Sequence, residues 1–485
     1  MGKIVENLKK NSIAYPDETA IVFREEEEDS EYKSITHREF FQYINAFANY
    51  LYDEYKGKTI AIIGQNKPEY LVSLFAVIGY TGDALLIDRE LHQEDIQNIL
   101  NKAQPAFVIL DDDLTLDIQG FRQMYFSEVR DFMKRSSPTE KEAYPGSLIL
   151  HTSGTTGTPK FVKLEEKNYY AVIPETNKKW ELDHTQSCLF VIPLYHIYAL
   201  QSIANAIRSG VTIILEYDAK RIGEAFQKTK PALFMGVPLV YNKFRDTMLS
   251  KNKLGINAAI FFSNGLRKIG IDIRKKIFKR AHVYFGGNYM WGCSAGSLLS
   301  FETNKFFHDI GLPIYNAYGM TETSGSVAIN YRMNHHFDCM GKILDCNQVK
   351  IIDPDEEGIG EIVVKGENVF SGYLWEDSKE CFADGYFKTG DLGYIKEDHL
   401  YIVGRKKNIL IGANGKNVAP MELIGALLKN KEISDCNVVL ENDKLVAIIN
   451  SPLSEEAVGK IIEKTNAKLP GYKKISSFRL VEKIK

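Results

Sequence analysis

Chemistry is densest where an apolar run, Leu148-Ile-Leu, passes into His-Thr-Ser-Gly-Thr-Thr-Gly-Thr-Pro-Lys160 and then a second β-prone stretch, Phe161-Val-Lys-Leu164. Gly154 and Gly157 let a backbone turn its N–H groups toward a ligand at close approach. The hydroxyls of Thr152, Ser153, Thr155 and Thr156 add hydrogen-bond donors, and Lys160 adds positive charge. Such a loop suits a polyphosphate. It is not a Walker A loop, because Pro159 stands where a second glycine should precede the lysine. A polar surface turn is the plain alternative. Five hydroxyl residues and two glycines between Thr152 and Lys160, directly after an apolar strand, argue against it.

The elements that must hold this loop alternate in type. Short apolar runs, rich in β-branched residues, occur at Thr59–Ile63, Ala106–Leu110, Leu148–Leu150, Val211–Leu215 and Ala232–Met235. Helical patterns lie between them, at His37–Tyr55 and Glu94–Lys102. The alternation predicts an α/β fold with largely parallel sheets covered by helices. The most apolar stretch, Tyr70–Ile87, is broken by Gly79, Gly82 and Asp83, and reads as a buried helix followed by a strand. From about residue 347 the texture changes to closely spaced strands and turns, a β-rich subdomain. After Gly404 about 80 residues mix short strands and amphipathic helices, enough for a small domain of their own.

With 485 residues, 44% hydrophobic and 25% charged, the chain has the balance of a globular protein of two or three domains. A formal net charge of −3 gives no overall pull toward nucleic acid or an anionic membrane, although local charge runs such as Arg405-Lys-Lys stand as exceptions. The six cysteines form no C-x-x-C pair, which argues against a zinc site and a disulfide framework. The N-terminus carries charges throughout and does not read as a signal peptide. A cytoplasmic protein without integral membrane association or nucleic-acid partner is the expectation.

Three further motifs follow the loop in order. They are Asn316-Ala-Tyr-Gly-Met-Thr-Glu322, Tyr386-Phe-Lys-Thr-Gly-Asp391-Leu-Gly, and Gly404-Arg-Lys-Lys-Asn-Ile-Leu410 with its continuation Gly412–Pro420. Together the four resemble the adenylate-forming superfamily of acyl-CoA synthetases, nonribosomal-peptide adenylation domains and luciferases, closest in look to bacterial AMP-forming fatty acyl-CoA or aryl-CoA ligases. The resemblance spans nearly the whole chain. It implies a large N-terminal domain (1–403, its β-rich subdomain from about 347) and a small mobile α+β C-terminal domain (404–485).

It also implies roles. Thr152, Ser153, Gly154, Thr155, Thr156, Gly157 and Lys160 cradle the phosphates of ATP, and Asn316, Ala317, Tyr318 and Gly319 receive the adenine. Tyr318 offers an aromatic face and Asn316 an amide suited to the adenine edge. Thr321 lies near the α-phosphate, and Glu322 holds Mg²⁺, a hard cation suited to a carboxylate. Asp391 accepts from both ribose hydroxyls, supported by Arg405. Taken alone, Asp391 could equally be a turn residue. Lys407 falls at the family's hinge, about which the C-terminal domain turns between two half-reactions.

The implied reaction is attack of a carboxylate on ATP with release of pyrophosphate, then transfer of the acyl group to the thiol of CoA. A carrier-protein phosphopantetheine is the alternative acceptor, and a nucleotide- or acyl-binding pseudoenzyme the alternative class. His196, Tyr198 and Gly296 match the acyl pocket, with His196 read either as a gate or as a packed core residue. Val191–Gln201 has no aspartate to pair with an α-ammonium, which disfavours amino acids as substrates. A fatty acid is favoured, an aryl acid next. His335-His336 lacks partners at ligand spacing and is expected at the surface. The family's C-terminal Gly-Lys pair is not reached by Lys485: either the sequence is cut short of it, or Lys483 or Lys485 substitutes, or adenylation is impaired.

Overall fold

The computed structural model describes residues 2–25, 31–135, 140–152, 160–408, 410–411, 417–418, 420–428, 430, 432–441 and 444–481. The chain divides into two compact units. One is Met1–Gln348 with Lys365–Phe382, the other Val349–Val364 with Ala383–Lys485.

The first unit is built on two sheets. In the smaller, the strands run in the order Tyr373–Leu374, Lys160–Leu164, Leu148–Thr152, Ala84–Leu86, Ile60–Ile63, Phe107–Leu110, Gln123–Tyr125. From Leu148–Thr152 to Gln123–Tyr125 all neighbours are parallel, and Lys160–Leu164 turns back antiparallel. Ile60–Ile63 and Phe107–Leu110 are buried at every residue, as strands covered on both faces must be. The helix His37–Tyr55 starts where the sequence predicts, because Thr36 and Glu39 form a reciprocal capping box there. The apolar stretch resolves into a helix Pro68–Ala76, a wider π-helical turn Val77–Thr81 and the strand Ala84–Leu86.

In the larger sheet, Trp291–Ser294 lies between Leu233–Gly236 and Ile314–Met320, both parallel to it. Ser187–Phe190, Thr212–Leu215 and Thr19–Phe23 continue the parallel set. Beyond Ile314–Met320 the chain reverses into the antiparallel strand Gly325–Ile329. An aromatic core, including Phe226, Phe234, Tyr241, Phe285 and Phe307, packs behind these strands. The α/β fold class expected from the alternation of elements is the one observed.

In the second unit, Tyr386–Lys396 and His399–Arg405 form an antiparallel hairpin. Glu397 and Asp398 turn it with φ of 50° and 61°, the left-handed pair a tight two-residue hairpin requires. Farther along, the strands Asp435–Glu441, Lys444–Asn450 and Ser477–Leu480 make a three-stranded sheet. The helices Pro420–Leu428 and Glu455–Asn466 share a core with it through Leu423, Leu427, Val438, Ile449 and Val458. No helix among the described residues is long and apolar enough to cross a membrane.

Candidate active site

Thr152 and Lys160 are cross-strand partners, and Thr152 lies at the carboxyl end of a parallel strand. Open α/β sheets bind ligands at such ends. Ser153, Gly154, Thr155, Thr156 and Gly157 lie outside the described residues. The Lys160 ammonium is 3.5 Å from the Glu376 carboxylate and 4.6 Å from the centre of the Tyr373 ring. The Tyr373 hydroxyl in turn donates to Glu322 Oε1 at 2.8 Å. Tyr373 therefore links the loop lysine to the motif glutamate, residues 162 positions apart in sequence. Burial, and then the charge of Glu322, raise the tyrosine pKa far above its usual value, so Tyr373 stays a donor.

The backbone around Glu322 explains its placement. Ile314–Met320 ends in a single 3₁₀ turn, Thr321–Thr323. The Thr323 hydroxyl donates to the Gly325 carbonyl at 2.9 Å, and Asn368 Nδ2 donates to the Thr323 carbonyl at 3.0 Å. Ser324 Oγ donates to the Asn368 carbonyl at 2.7 Å, and the Phe370 N–H to the Glu322 carbonyl at 2.9 Å. The turn is clamped against residues 368–373. Gly319 is required for the same reason: a Cβ there would sit 1.5 Å from the Gly325 carbonyl oxygen. Glu322 is left 8% exposed, and Thr321 is half-buried beside it.

Asn316 is 1% exposed and donates through Nδ2 to the Cys339 carbonyl at 3.1 Å. Its Oδ1 is buried and takes no hydrogen bond among the described residues. Ala317 and Tyr318 are buried as well, at 5% and 8% exposure.

Of the residues matched to the acyl pocket, His196 caps the helix Ile197–Ser209, is exposed, and rests its ring 4.2 Å from that of Tyr195. Tyr195 lies parallel to His151 at 6.3 Å. His151 is the last residue but one of the strand Leu148–Thr152, and its Nε2 accepts from the Asp88 N–H at 3.2 Å. Burial lowers the pKa of His151, with the charge of Asp88 opposing, so it stays neutral at pH 7. Tyr198 donates its hydroxyl to the Cys293 carbonyl at 3.1 Å, tying its helix to the strand Trp291–Ser294. Gly296 follows that strand with φ +83°, and a Cβ there would meet no atom within 4 Å. Its glycine serves the backbone conformation and leaves open space.

In the second unit, Asp391 and Arg405 stand opposite one another in the hairpin, and Arg405 Nε lies 2.7 Å from Asp391 Oδ1. The carboxylate side chain is 7% exposed and the guanidinium 44%. The Asp391 N–H donates to Thr389 Oγ1 at 3.0 Å, and Thr389 donates to the Ile362 carbonyl at 2.8 Å. Lys406 pairs with Glu361 at 2.6 Å, and Lys407 is exposed. Lys483 and Lys485 lie outside the described residues.

Tyr373, Glu376, Asn368, His151 and Tyr195 were not singled out in the sequence. Only His151 carried a signal, adjoining the hydroxyl-rich motif. His335 differs from its expected surface position. It is half-buried, 5.1 Å from the Tyr315 ring and 4.8 Å from that of Phe337. Burial first, and then His308 and His336, push its pKa down to about 4. The aromatic residues brought there by other elements make it a packing residue, while His336 is exposed.

Comparison with known proteins follows the same lines. The AMP-binding enzyme family matches residues 8–374. The chain belongs to that family. The long-chain-fatty-acid–CoA ligase FadD15 of Mycobacterium bovis is 33% identical over 317 residues, 60% of this chain and 52% of that protein. The chain thus spans about half the length of the first curated relatives it matches. The 2-succinylbenzoate–CoA ligase of Bacillus cereus is 26% identical over 493 residues, 96% of this chain and 92% of that protein. Among solved structures, o-succinylbenzoate CoA synthetase of Bacillus subtilis, in complex with its acyl-adenylate, shares the fold. The TM-score is 0.76 at 20% identity, over 99% of this chain and 95% of that one.

Proposed function

We propose that the protein activates a carboxylic acid with ATP and passes the acyl group to the thiol of CoA. The carboxylate oxygen attacks the α-phosphorus, the bond to pyrophosphate breaks, and an acyl-adenylate forms. The thiol sulfur then attacks the acyl carbonyl, AMP leaves, and the thiol proton passes to solvent. The observation that carries this reading is the Lys160–Tyr373–Glu322 arrangement. It sets a cation and a buried carboxylate on either side of one tyrosine, and the cation is the lysine that ends the hydroxyl-rich sequence motif.

The donor set fits a magnesium ion. Glu322 offers one nearly buried carboxylate, whose orientation Tyr373 fixes. A single protein ligand suits this ion, which keeps waters and substrate phosphates in its sphere. Bound there, the ion would offset phosphate charge. Lys160, lifted from Glu376 by a stronger anion, would hold a phosphate oxygen beside the loop hydroxyls of Thr152, Ser153, Thr155 and Thr156. Thr321 would donate to the α-phosphate. Asn316 Oδ1, Ala317, Tyr318 and Gly319 would receive the adenine, and Asp391, oriented by Arg405, would accept from the ribose hydroxyls. Lys407 marks the functional division at 403/404, as the point where the C-terminal residues turn between half-reactions.

A fatty acid is the favoured substrate, supported by the FadD15 likeness. An aryl acid is second, supported by the likeness to 2-succinylbenzoate–CoA ligase along almost the whole chain. The test is ATP–pyrophosphate exchange across fatty and aromatic acids, followed by thioester formation with CoA and with a phosphopantetheinylated carrier protein. Exchange stimulated by fatty acids, and thioester formed with CoA, is the expected result. Absence of acid-dependent exchange would overturn the reading.

A further inference from the structure

The long helical segment Pro238–Arg267 breaks at Asn252, whose φ of −165° and ψ of 71° are not helical. Beyond the break, residues 253–267 form a helix that is apolar on two sides. Ile256, Ala259 and Ile260 pack into the aromatic core of the larger sheet. Leu254, Ala258, Phe261 and Phe262 recur at helical spacing on the other side, with Leu254 85%, Phe261 84% and Phe262 58% exposed. Ile269, 70% exposed, continues the patch past the helix end. A helix apolar on both faces is normally covered on both, and clustered exposed aromatics mark an interaction surface.

Charge identifies what covers it. In residues 238–284 eleven lysines and arginines stand against two acidic residues, Asp246 and Asp272, although the whole chain carries −3. Both acids are already paired, with Arg245 and Arg274. Lys251, Lys253, Lys268, Lys276, Lys279 and Arg280 are exposed and form no ion pair among the described residues. Lys268 lines the same shallow depression as Phe261 and Phe262. Exposed apolar side chains with Lys268 beside them, and with the exposed Lys251 and Lys253 at the start of the helix, fit an interface of headgroups and acyl chains with negative charge. A second copy of the chain would oppose two basic surfaces and repel. We propose that the outer face of residues 253–267 docks onto an anionic phospholipid bilayer surface, peripherally and reversibly.

The test is co-sedimentation of the full chain with phosphatidylcholine vesicles, with and without phosphatidylglycerol. Binding is expected only with the anionic lipid, weakening as salt is raised. Phe261→Ser with Phe262→Ser should lower the partition at least about tenfold. Lys251→Gln, Lys253→Gln and Lys268→Gln together should lower it by about a hundredfold, at roughly a factor of five per charge. All these side chains are exposed, so an unchanged melting temperature shows that the variants fold. Failure of the parent chain to bind anionic vesicles at low salt would overturn the proposal. So would binding that is indifferent to both sets of substitutions. A parent chain that self-associates, becomes monomeric with the Phe261/Phe262 changes and ignores vesicles would assign the face to a second copy instead.

Discussion

Two clusters carry the candidate chemistry, and they are built in opposite ways. Asp391 and Arg405 are cross-strand neighbours in one hairpin, turned by Glu397 and Asp398. Their 2.7 Å contact follows from local register. Lys160, Glu322 and Tyr373 come from three separate strand ends, joined by a ring contact and one hydrogen bond. The Glu322 backbone is held by Asn368 and Phe370, which belong to no motif. A hairpin pair tolerates loosening elsewhere in the fold. An assembled cluster transmits it.

Substitutions can break or sharpen this contrast. The largest effect is expected from Asp391→Ala, which removes the acceptor itself: ATP–pyrophosphate exchange should fall about 10³-fold, at the upper end for a preorganised group. An unchanged rate would remove Asp391 from the site. Glu322→Gln keeps an acceptor for Tyr373 but loses the charge, and exchange should fall about a hundredfold, with a raised magnesium requirement. A magnesium dependence identical to the parent's would count against the ion assignment.

Asn368→Ala separates the two clusters. It deletes a buried donor from the Thr323 carbonyl, so stability should drop by about 1–3 kcal/mol in denaturant unfolding. Exchange should slow about tenfold through the displaced glutamate. AMP affinity should hardly change, because Asp391 and Arg405 keep their hairpin. Equal losses in AMP binding and exchange would erase the contrast. Tyr373→Phe is smaller, about fivefold, since it removes one hydrogen bond and keeps the ring beside Lys160. Combined with Glu322→Gln it should be strongly non-additive, whereas combined with Arg405→Ala it should simply add.

The smallest effect concerns a histidine outside both clusters. His335 titrates near 4 in the fold against 6.5 when unperturbed, so the folded chain binds this proton less readily than the unfolded chain. Its contribution to stability is complete above pH 6.5 and is lost as pH falls through that value toward 4. His335→Phe should flatten the melting temperature against pH in this window and leave exchange at pH 7.5 unaltered. A slope that persists would place the titration elsewhere.

Much of the scaffold was legible in the residues. The runs at Thr59–Ile63 and Ala106–Leu110 became strands within a residue of their expected bounds, because strands buried on both faces must be apolar throughout. His37–Tyr55 matched its helix because the capping box and the amphipathic period agree. Asp391 with Arg405 was named from the motif resemblance alone, and the hairpin register of the structure is what sets the two side chains opposite one another.

Sequence by itself determined the alternating α/β order, the hydroxyl-rich loop and the motif positions Thr152, Lys160, Glu322 and Asp391. Only the tertiary structure decided that Tyr373 joins Lys160 to Glu322, and that Asn368 clamps the turn. It alone showed that the buried Asn316 Oδ1 takes no hydrogen bond among the described residues, and that His335 is packed among aromatic rings. The physical reason is range. Periodicity, capping and hairpin register act over a few residues and leave a trace in spacing. A hydrogen bond between positions 322 and 373 depends on where two sheets and a returning segment meet, and no local pattern encodes it.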